Sequence, residues 1–367
     1  MSEVISQWQS PVVGIAIPPE WNHHLHEKPP TNSANMHMDA AEQLGVSTYF
    51  FALKDVQLEK RTIIGLVRVD GEWIRTPAPW PDVYYESAEM EALDGEMPIV
   101  EQLWSTAIML NTTRRLGKWQ CCDILRRYPD TQQYVPDTVA YTSPEDLATM
   151  LHKHKVVLVK PEYGKTGRGI SRVSVGKNGR LTWEDSVTSQ REVSLTLGQV
   201  LARIRQTAGT RKLAIQQAIP LLKVDGRLSD IRYSINKDGS GQWQFMFAAL
   251  KIGKAGKFVT NVARGGTWVM FPEALSLLSE DPVRGEQLMA ELRRATAAIT
   301  RRLEQNVGPM GEFGYDLAFD PQYGLWFLEA NPNPGKKNKF TRIQGQIPPW
   351  FTNVFEYARY LWQQQNS

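Results

Sequence analysis

Cysteine is almost missing from this chain: two residues in 367, adjacent at Cys121 and Cys122. Neighbouring residues make a poor structural disulfide, and the CxxC spacing of thiol metal or redox sites is absent. That usage fits a reducing compartment. No run approaches the ~18 apolar residues of a membrane span. The amino terminus, MSEVISQWQSPVVG, lacks the basic start and apolar core of a secretory signal. An excess of one charge is lacking too. The 42 Lys and Arg stand against 39 Asp and Glu, a formal charge of +3, too balanced to make nucleic acid the main partner. No internal repeat or low-complexity tract is visible. The 12 tryptophans are scattered, as at Trp8, Trp73, Trp80, Trp104 and Trp119, which suits core anchors better than a stacking platform. The expectation is a soluble cytoplasmic protein whose partners are neither membrane nor nucleic acid.

What is present is enough chain for two or three domains with sizeable cores. Val12 to Ile17 reads as a buried strand, and Ser33 to Gly45 as a helix with Ser33 as N-cap and Gly45 closing it. Ser47 to Leu53 is a second strand, and TIIGLVRVDGEWIRT a hairpin turning at Asp70-Gly71. PAPWPDVYYES ends this small α/β unit, and a helical or irregular connector spans Met90 to Thr113. SPEDLATMLHKH is a helix with Ser143 as N-cap and Glu145 and Asp146 in its first turn. Strands are expected near Leu213 to Gln217, Asp230 to Asn236 and Trp243 to Lys251. A long helix from about Asp281 to Asn306 carries Leu288, Leu292, Ala295, Ala298, Ile299 and Leu303 at helical spacing. Trp350 to Gln365 forms a last amphipathic helix, packed on the body. His23, His24, His26 and His37 follow the first strand, and imidazole suits zinc or nickel. They sit in a Pro/Asn-rich loop without a cysteine partner, so no metal centre is expected there.

Two segments carry chemistry. In FLEANPNPG, Glu329 and Asn331 lie two residues apart, so an extended strand points both to one face. Upstream, GYDLAFD puts Asp316 on a second strand-like run, and the intervening DPQYG has turn chemistry. The hairpin sets Asp316 across from Glu329. Two carboxylates and an amide oxygen make an all-oxygen nest for a hard cation such as Mg²⁺, which takes its remaining ligands from water and substrate phosphate. A hairpin with a solvated polar face has the same pattern. In VVLVKPEYGKTGRGISRVSV, a buried strand ends at Lys160, and a loop with Gly164, Gly167 and Gly169 precedes a strand from Ile170 to Val175. Glycines let backbone N–H groups approach an anion, and Lys160, Lys165 and Arg168 add positive charge. GKT at Gly164 to Thr166 fails as a P-loop because position 159 is Val, and GRG lacks the third glycine of a dinucleotide fingerprint because position 172 is Arg. A lid over phosphates and a plain hairpin with a basic tip both remain.

These pieces, in this order, resemble the ATP-grasp superfamily, and within it the spore-coat-associated YheC/YheD family of spore-forming bacteria. The resemblance runs from about residue 11 to residue 345. It implies an ATP-grasp fold, two α+β lobes gripping ATP, preceded by a small Rossmann-like amino-terminal domain. The implied boundaries are 1–114 for that domain with its connector, 115–195 for the central lobe with the glycine-rich lid, 196–345 for the carboxy-terminal lobe, and 346–367 for the last helix. LGKWQCCDILRRYPDTQQYVPDT looks like the opening of the ATP-binding region, with Lys118 as its nucleotide-contacting lysine, and VLVKP supplies Lys160 for the α/β-phosphates. YGKTGRGI, with Gly164, Lys165, Thr166, Gly167, Arg168 and Gly169, is similar to the lid. IQQAIPL is similar to the strand along the adenine. Many relatives end that strand in a ribose-binding Glu, whereas here Gln216 and Gln217 stand nearby, with Ile219 and Asp225 following. DIRYSI carries Asp230 and Arg232, and TNVARGG carries Asn261, Arg264, Gly265 and Gly266. Asp316, Glu329 and Asn331 correspond to the ligands of two Mg²⁺ ions, with Glu329 shared.

The resemblance implies an ATP- and Mg²⁺-dependent ligase that joins a carboxylate to an amine through an acyl phosphate, on amino-acid or peptide-like substrates. Lys118, Lys160 and Lys251 would neutralise the triphosphate, while Arg264 and Arg232 would meet the acyl phosphate or an anionic substrate. The run Lys336, Lys337 and Lys339 either steers that substrate or solvates a loop. Two other readings stand beside this one: a nucleotide-binding spore-coat-associated structural protein with little turnover, and a kinase using the same lid and metals.

Overall fold

Three β-sheets carry the chain in a computed structural model that describes residues 8–17, 31–87, 96–164, 167–260, 265–334 and 345–367. The first sheet contains β1 (Val12–Ala16), β2 (Ser47–Phe51), β3 (Val56–Gln57), β4 (Thr62–Val69), β5 (Glu72–Ala78), β6 (Val83–Glu86) and β7 (Ile108–Met109). β1 lies between β2 and β6, parallel to both, and β7 continues the parallel run. The β4–β5 hairpin turns at Asp70-Gly71 with both residues at positive φ, as its sequence predicts. VYYE is a strand that pattern reading overlooks. All four of its residues are buried, so it shows no alternation.

Helices α1 (Asn32–Leu44) and α2 (Met97–Thr106) cover opposite faces of this sheet. Thr31, not Ser33, caps α1: its hydroxyl accepts the Ala34 N–H at 3.2 Å, which places Ser33 inside the first turn. Gly45 closes α1 in the left-handed region, as expected. His37 is a core residue of α1. Its Nδ1 bonds the Ser33 carbonyl at 2.7 Å and its ring stands edge-on to Phe351. His23, His24 and His26 lie outside the described residues.

The second sheet holds β8 (Thr138–Tyr141), β9 (Val156–Pro161), β10 (Ser171–Val175), β11 (Leu181–Asp185), β12 (Arg191–Leu195) and β13 (Leu213–Gln217). Helices α3 (Lys118–Arg126), α4 (Pro144–His154) and α5 (Leu197–Ala208) follow in chain order, and α4 and α5 pack on this sheet. Asp146 accepts the Ser143 N–H at 2.8 Å at the start of α4. β13 pairs with both β9 and β8, so it belongs here and not to the lobe that follows. In place of the boundary expected at 195, this sheet runs to Gln217. The cause is long-range pairing: Ile215 opposes Val159 on one side and Val139 on the other.

The third sheet holds β14 (Lys223–Val224), β15 (Arg227–Lys237), β16 (Trp243–Ile252), β17 (Thr267–Met270), β18 (Glu312–Phe319) and β19 (Leu325–Asn331). One face is the main core, where Ile231, Tyr233, Leu250, Phe313, Tyr315 and Phe327 meet α3 and α7 (Pro282–Val307), which follows the short α6 (Leu275–Leu278). The α7 stripe of Leu288, Leu292, Ala295, Ile299 and Leu303 is buried, and the Asp281 side chain accepts the Val283 N–H at 3.0 Å at its start. The last helix, α8 (Pro349–Asn366), buries Phe351 and Phe355 against α1 and sets Trp350 edge-on to Phe247 of β16. Among the described residues no helix is long and apolar enough to cross a membrane.

Candidate active site

The face of the third sheet opposite its core is polar. The β18–β19 turn is organised by Asp320, whose Oδ1 accepts the Gln322 and Gly324 N–H groups, each at 2.9 Å. The hairpin register puts Asp316 directly opposite Glu329 and Gly314 opposite Asn331. The expected juxtaposition is therefore present, with one irregularity: Leu317 pairs with Phe327, so Leu328 forms a bulge beside Glu329. Asn331 Nδ2 donates to the Gly314 carbonyl at 3.2 Å and to Glu329 Oε1 at 3.3 Å.

Asp316 is not an open carboxylate. Arg232 Nε lies 2.8 Å from its Oδ1 and Lys251 Nζ 2.9 Å from its Oδ2. Cross-strand register brings them together, since Arg232 opposes Asp316 and Lys251 opposes Asp230. Lys251 also pairs with Asp230 at 2.6 Å, and the Thr260 hydroxyl donates to Asp230 Oδ2. Burial works against the Asp316 charge, but Arg232 and then Lys251 outweigh it and hold the group below the usual carboxylate range. Asp230 goes the other way. Burial first, and the Asp316 charge in support, push it up to about 7 despite the pull of Lys251. Burial alone would lower the Lys251 pKa, yet the two carboxylates raise it.

Two further lysines reach this region from other elements. Lys118, the first residue of α3, is buried with its Nζ 3.3 Å from the Gly164 carbonyl and 3.7 Å from Glu329 Oε2. Lys160, near the end of β9, donates to Gln216 Oε1 at 2.5 Å. Burial first, then the neighbouring Lys118 charge, lower its pKa to about 8. Gln216 Nε2 donates to Thr138 Oγ1 at 3.0 Å. Both ends of that amide are thus committed behind Lys160, on a side chain only 1% exposed. Gln217 accepts the Asp137 N–H at 3.2 Å. The Gln216 side chain therefore does not stand open as a ribose acceptor would.

The remaining candidates are more dispersed. Gly167 and Gly169 have φ of 66° and 74°, and Ser186 Oγ donates to the Gly167 carbonyl at 2.8 Å, while Arg168 is exposed. Ile219 is half-buried in the connection after β13. Asp225 sits in the β14–β15 turn, its side chain 80% exposed. Lys165, Thr166, Asn261, Arg264, Lys336, Lys337 and Lys339 lie outside the described residues. An enclosed pocket of about 20 Å³ is lined by Gly117, Lys118, Gly164, Glu329 and Asn331 among others. A larger groove of about 700 Å³ lies on the other face of the sheet, between Tyr233, Trp243 and Phe245 of β15–β16 and Arg293 and Ala297 of α7, and contains none of these groups.

Sequence reasoning misses two supports of the site. Asn333 Oδ1 accepts from Asn111 Nδ2 at 2.8 Å, and Asn111 Oδ1 accepts the Gly311 N–H at 2.7 Å, bracing both ends of the β18–β19 hairpin from the connector. Asn333 Nδ2 also donates to Glu86 Oε2 at 3.4 Å, at the end of β6. The PNP run after Asn331 is the only sequence signal for this. The second is Glu162, whose carboxylate caps α3 from the neighbouring sheet. A lone acid inside a basic glycine-rich loop is its signal.

Among the described residues no cluster of three or more His, Cys, Asp or Glu could hold a metal. Asp316, Glu329 and Asn331 instead offer two carboxylates and an amide, all oxygen. That set fits Mg²⁺, which keeps waters and binds phosphate oxygens alongside one or two carboxylates.

The chain is 24% identical over 340 residues to the endospore coat-associated protein YheD of Bacillus subtilis, spanning 87% of this chain and 72% of that one. It is 22% identical over 257 residues to YheC of the same organism, spanning 68% of each. Among solved structures, D-alanyl-alanine synthetase A from Vibrio cholerae superposes with a TM-score of 0.56 at 10% identity, over 99% of this chain and 100% of that one. At that identity the likeness speaks for the fold, which is that of ATP-grasp proteins. A profile described as YheC/D like ATP-grasp matches residues 107–361, well over half the sequence, and the chain belongs to that family.

Proposed function

We propose that this protein is an ATP- and Mg²⁺-dependent ligase that joins a carboxylate to an amine. The observation that carries the reading is the convergence on one sheet face of Asp316, Glu329 and Asn331 with Lys118 and Lys251, with Lys160 of the adjoining sheet close enough to interact electrostatically with Lys118 and Glu329. Asp316, Glu329 and Asn331 would hold the Mg²⁺ ions. When bound, Mg²⁺ supplies neutralisation of phosphate charge during phosphoryl transfer. Lys118 and Lys160 would bind phosphate oxygens of ATP from the side of the glycine-rich loop. Arg232 and Lys251 neutralise Asp316 in the structure; once Asp316 serves as a ligand, they are the cations left to meet an anionic substrate. A substrate carboxylate oxygen then attacks the γ-phosphorus and ADP leaves. The amine attacks the resulting acyl phosphate, inorganic phosphate leaves, and the nitrogen gives up a proton. No protein nucleophile is required. The synthetase named above supports amino-acid-like substrates.

A second reading rests on the relatives' names. Proteins called endospore coat-associated support a nucleotide-binding coat component with little turnover. One experiment separates the two: ADP and phosphate release on incubation with MgATP and a library of carboxylates and amines. Release that needs both an acid and an amine supports the ligase. ATP consumption with a single hydroxylated partner replaces it with a kinase, and no release from a chain that binds MgATP replaces it with the binding module.

A further inference from the structure

Glu162 follows directly on β9, and its contacts join two parts of the molecule. Its Oε2 accepts the Trp119 N–H at 2.9 Å and its Oε1 the Gln120 N–H at 3.2 Å. Its carbonyl accepts the Lys118 N–H at 3.2 Å, and its own N–H donates to the Lys212 carbonyl at 2.8 Å. The first three bonds go to the first turn of α3, whose residues Cys121, Cys122 and Leu125 pack in the third-sheet core with Leu317 and Phe327. β9 and the strand after Lys212 belong to the second sheet. One buried residue thus clamps the two sheets' halves together where the glycine-rich loop begins.

The cap is unusual in its source. An isolated helix would take its cap from a Ser, Thr, Asp or Asn immediately before it. Here that position is Gly117, and the cap arrives from more than 40 residues away. Gly117 has a steric reason: a Cβ there would lie 2.1 Å from Glu162 Oε1. The carboxylate satisfies first-turn N–H groups and complements the positive helix end. It also fixes where the first residue of α3 points. That residue is Lys118, whose ammonium bridges the Gly164 carbonyl and Glu329. Lys160, in β9, lies two residues before Glu162.

We propose that Glu162 is a positioning residue: by capping α3 from the second sheet it sets the placement of Lys118 relative to Lys160 and the glycine-rich loop. This rests on the reading that the two lysines bind ATP phosphates. The test is calorimetric titration of MgATP and of adenosine into the full chain and into Glu162→Ala, Glu162→Gln and Gly117→Ala, with thermal melting of each. Glu162→Ala should weaken MgATP by about tenfold or more while adenosine changes less than about twofold. Glu162→Gln, which keeps one acceptor, should fall between. Gly117→Ala pushes on the same carboxylate from the helix side and should reproduce the loss. A cap with a merely structural role lowers the melting temperature and leaves the ratio of the two affinities unchanged, which overturns the proposal. If Glu162→Ala does not fold, the ratio in Glu162→Gln and Gly117→Ala decides in the same way. A wild-type chain that binds MgATP no more tightly than adenosine refutes the phosphate reading of the lysines themselves, a result distinct from an unchanged ratio in the variants.

Discussion

Replacing Lys160 with Met separates the cost of a buried ammonium from its use. The residue is 8% exposed, and its ammonium donates to Gln216 Oε1. A pKa of about 8 in place of 10.5 means that the fold disfavours the charged amine by about 3 kcal/mol. Met fills similar space without charge, so Lys160→Met should recover about that much at neutral pH. Against it stands the orphaned Gln216 oxygen, which costs about 1–3 kcal/mol. The two nearly cancel, and the melting temperature should move by only a few degrees. Binding should respond far more. A hydrogen bond to a charged group contributes about 1.5–3 kcal/mol, so MgATP affinity should fall about ten- to a hundredfold while adenosine binding holds within about twofold. The pH dependence has a definite sign. Above about pH 8 the folded chain releases this proton while the unfolded chain keeps it until about 10.5. Stability from this group therefore rises across that window, and wild-type affinity for MgATP declines as the amine neutralises. Lys160→Met should flatten both trends. Titration of MgATP and adenosine at several pH values, with melting at each, checks all of this. Parallel losses for the two ligands would place Lys160 away from the phosphates.

Glu329→Gln keeps the shape of a partly exposed side chain, so melting should change little while ATP-dependent phosphate release falls at least about a hundredfold; near-normal turnover in the folded variant removes Glu329 from the metal set. Lys251→Met leaves Asp230 and Asp316 buried without a shared cation, and urea unfolding should show a loss of about 3–5 kcal/mol; a loss under about 1 kcal/mol would mean that the pair is not stabilised as its geometry implies. Asp230 has a raised pKa of about 7, so its contribution is fully present below the unfolded carboxylate value and lost as pH rises through about 7. Asp230→Asn should flatten the melting temperature between about pH 4 and 7, and an unchanged slope over that window would assign the dependence to another group.

Several parts of this protein are legible in the sequence because they depend on near neighbours. The two-residue period of DLAFD and FLEAN, with turn residues between, is enough to align Asp316 with Glu329. The apolar stripe of α7 and the Asp70-Gly71 hairpin are equally local. Glycine spacing after Lys160 marks a loop, with Gly167 and Gly169 at positive φ, and order along the chain points to the ATP-grasp family. Reading fails where the deciding contact is distant. β6 is buried on both faces and shows no alternation, and β13 is assigned to its sheet by pairing with Val159 and Val139. The Leu328 bulge depends on how β18 and β19 settle against each other. Gln216 suits a ribose contact by position, yet the fold turns it behind Lys160. Nor does the sequence say that Arg232 and Lys251 share Asp316, or that Glu162 caps a helix more than 40 residues upstream. Residue type and spacing determine which groups exist and which strand face they occupy. Which cation meets which carboxylate, and at what pKa, is decided only when separate sheets bring those groups into a common buried space where charge must be paired.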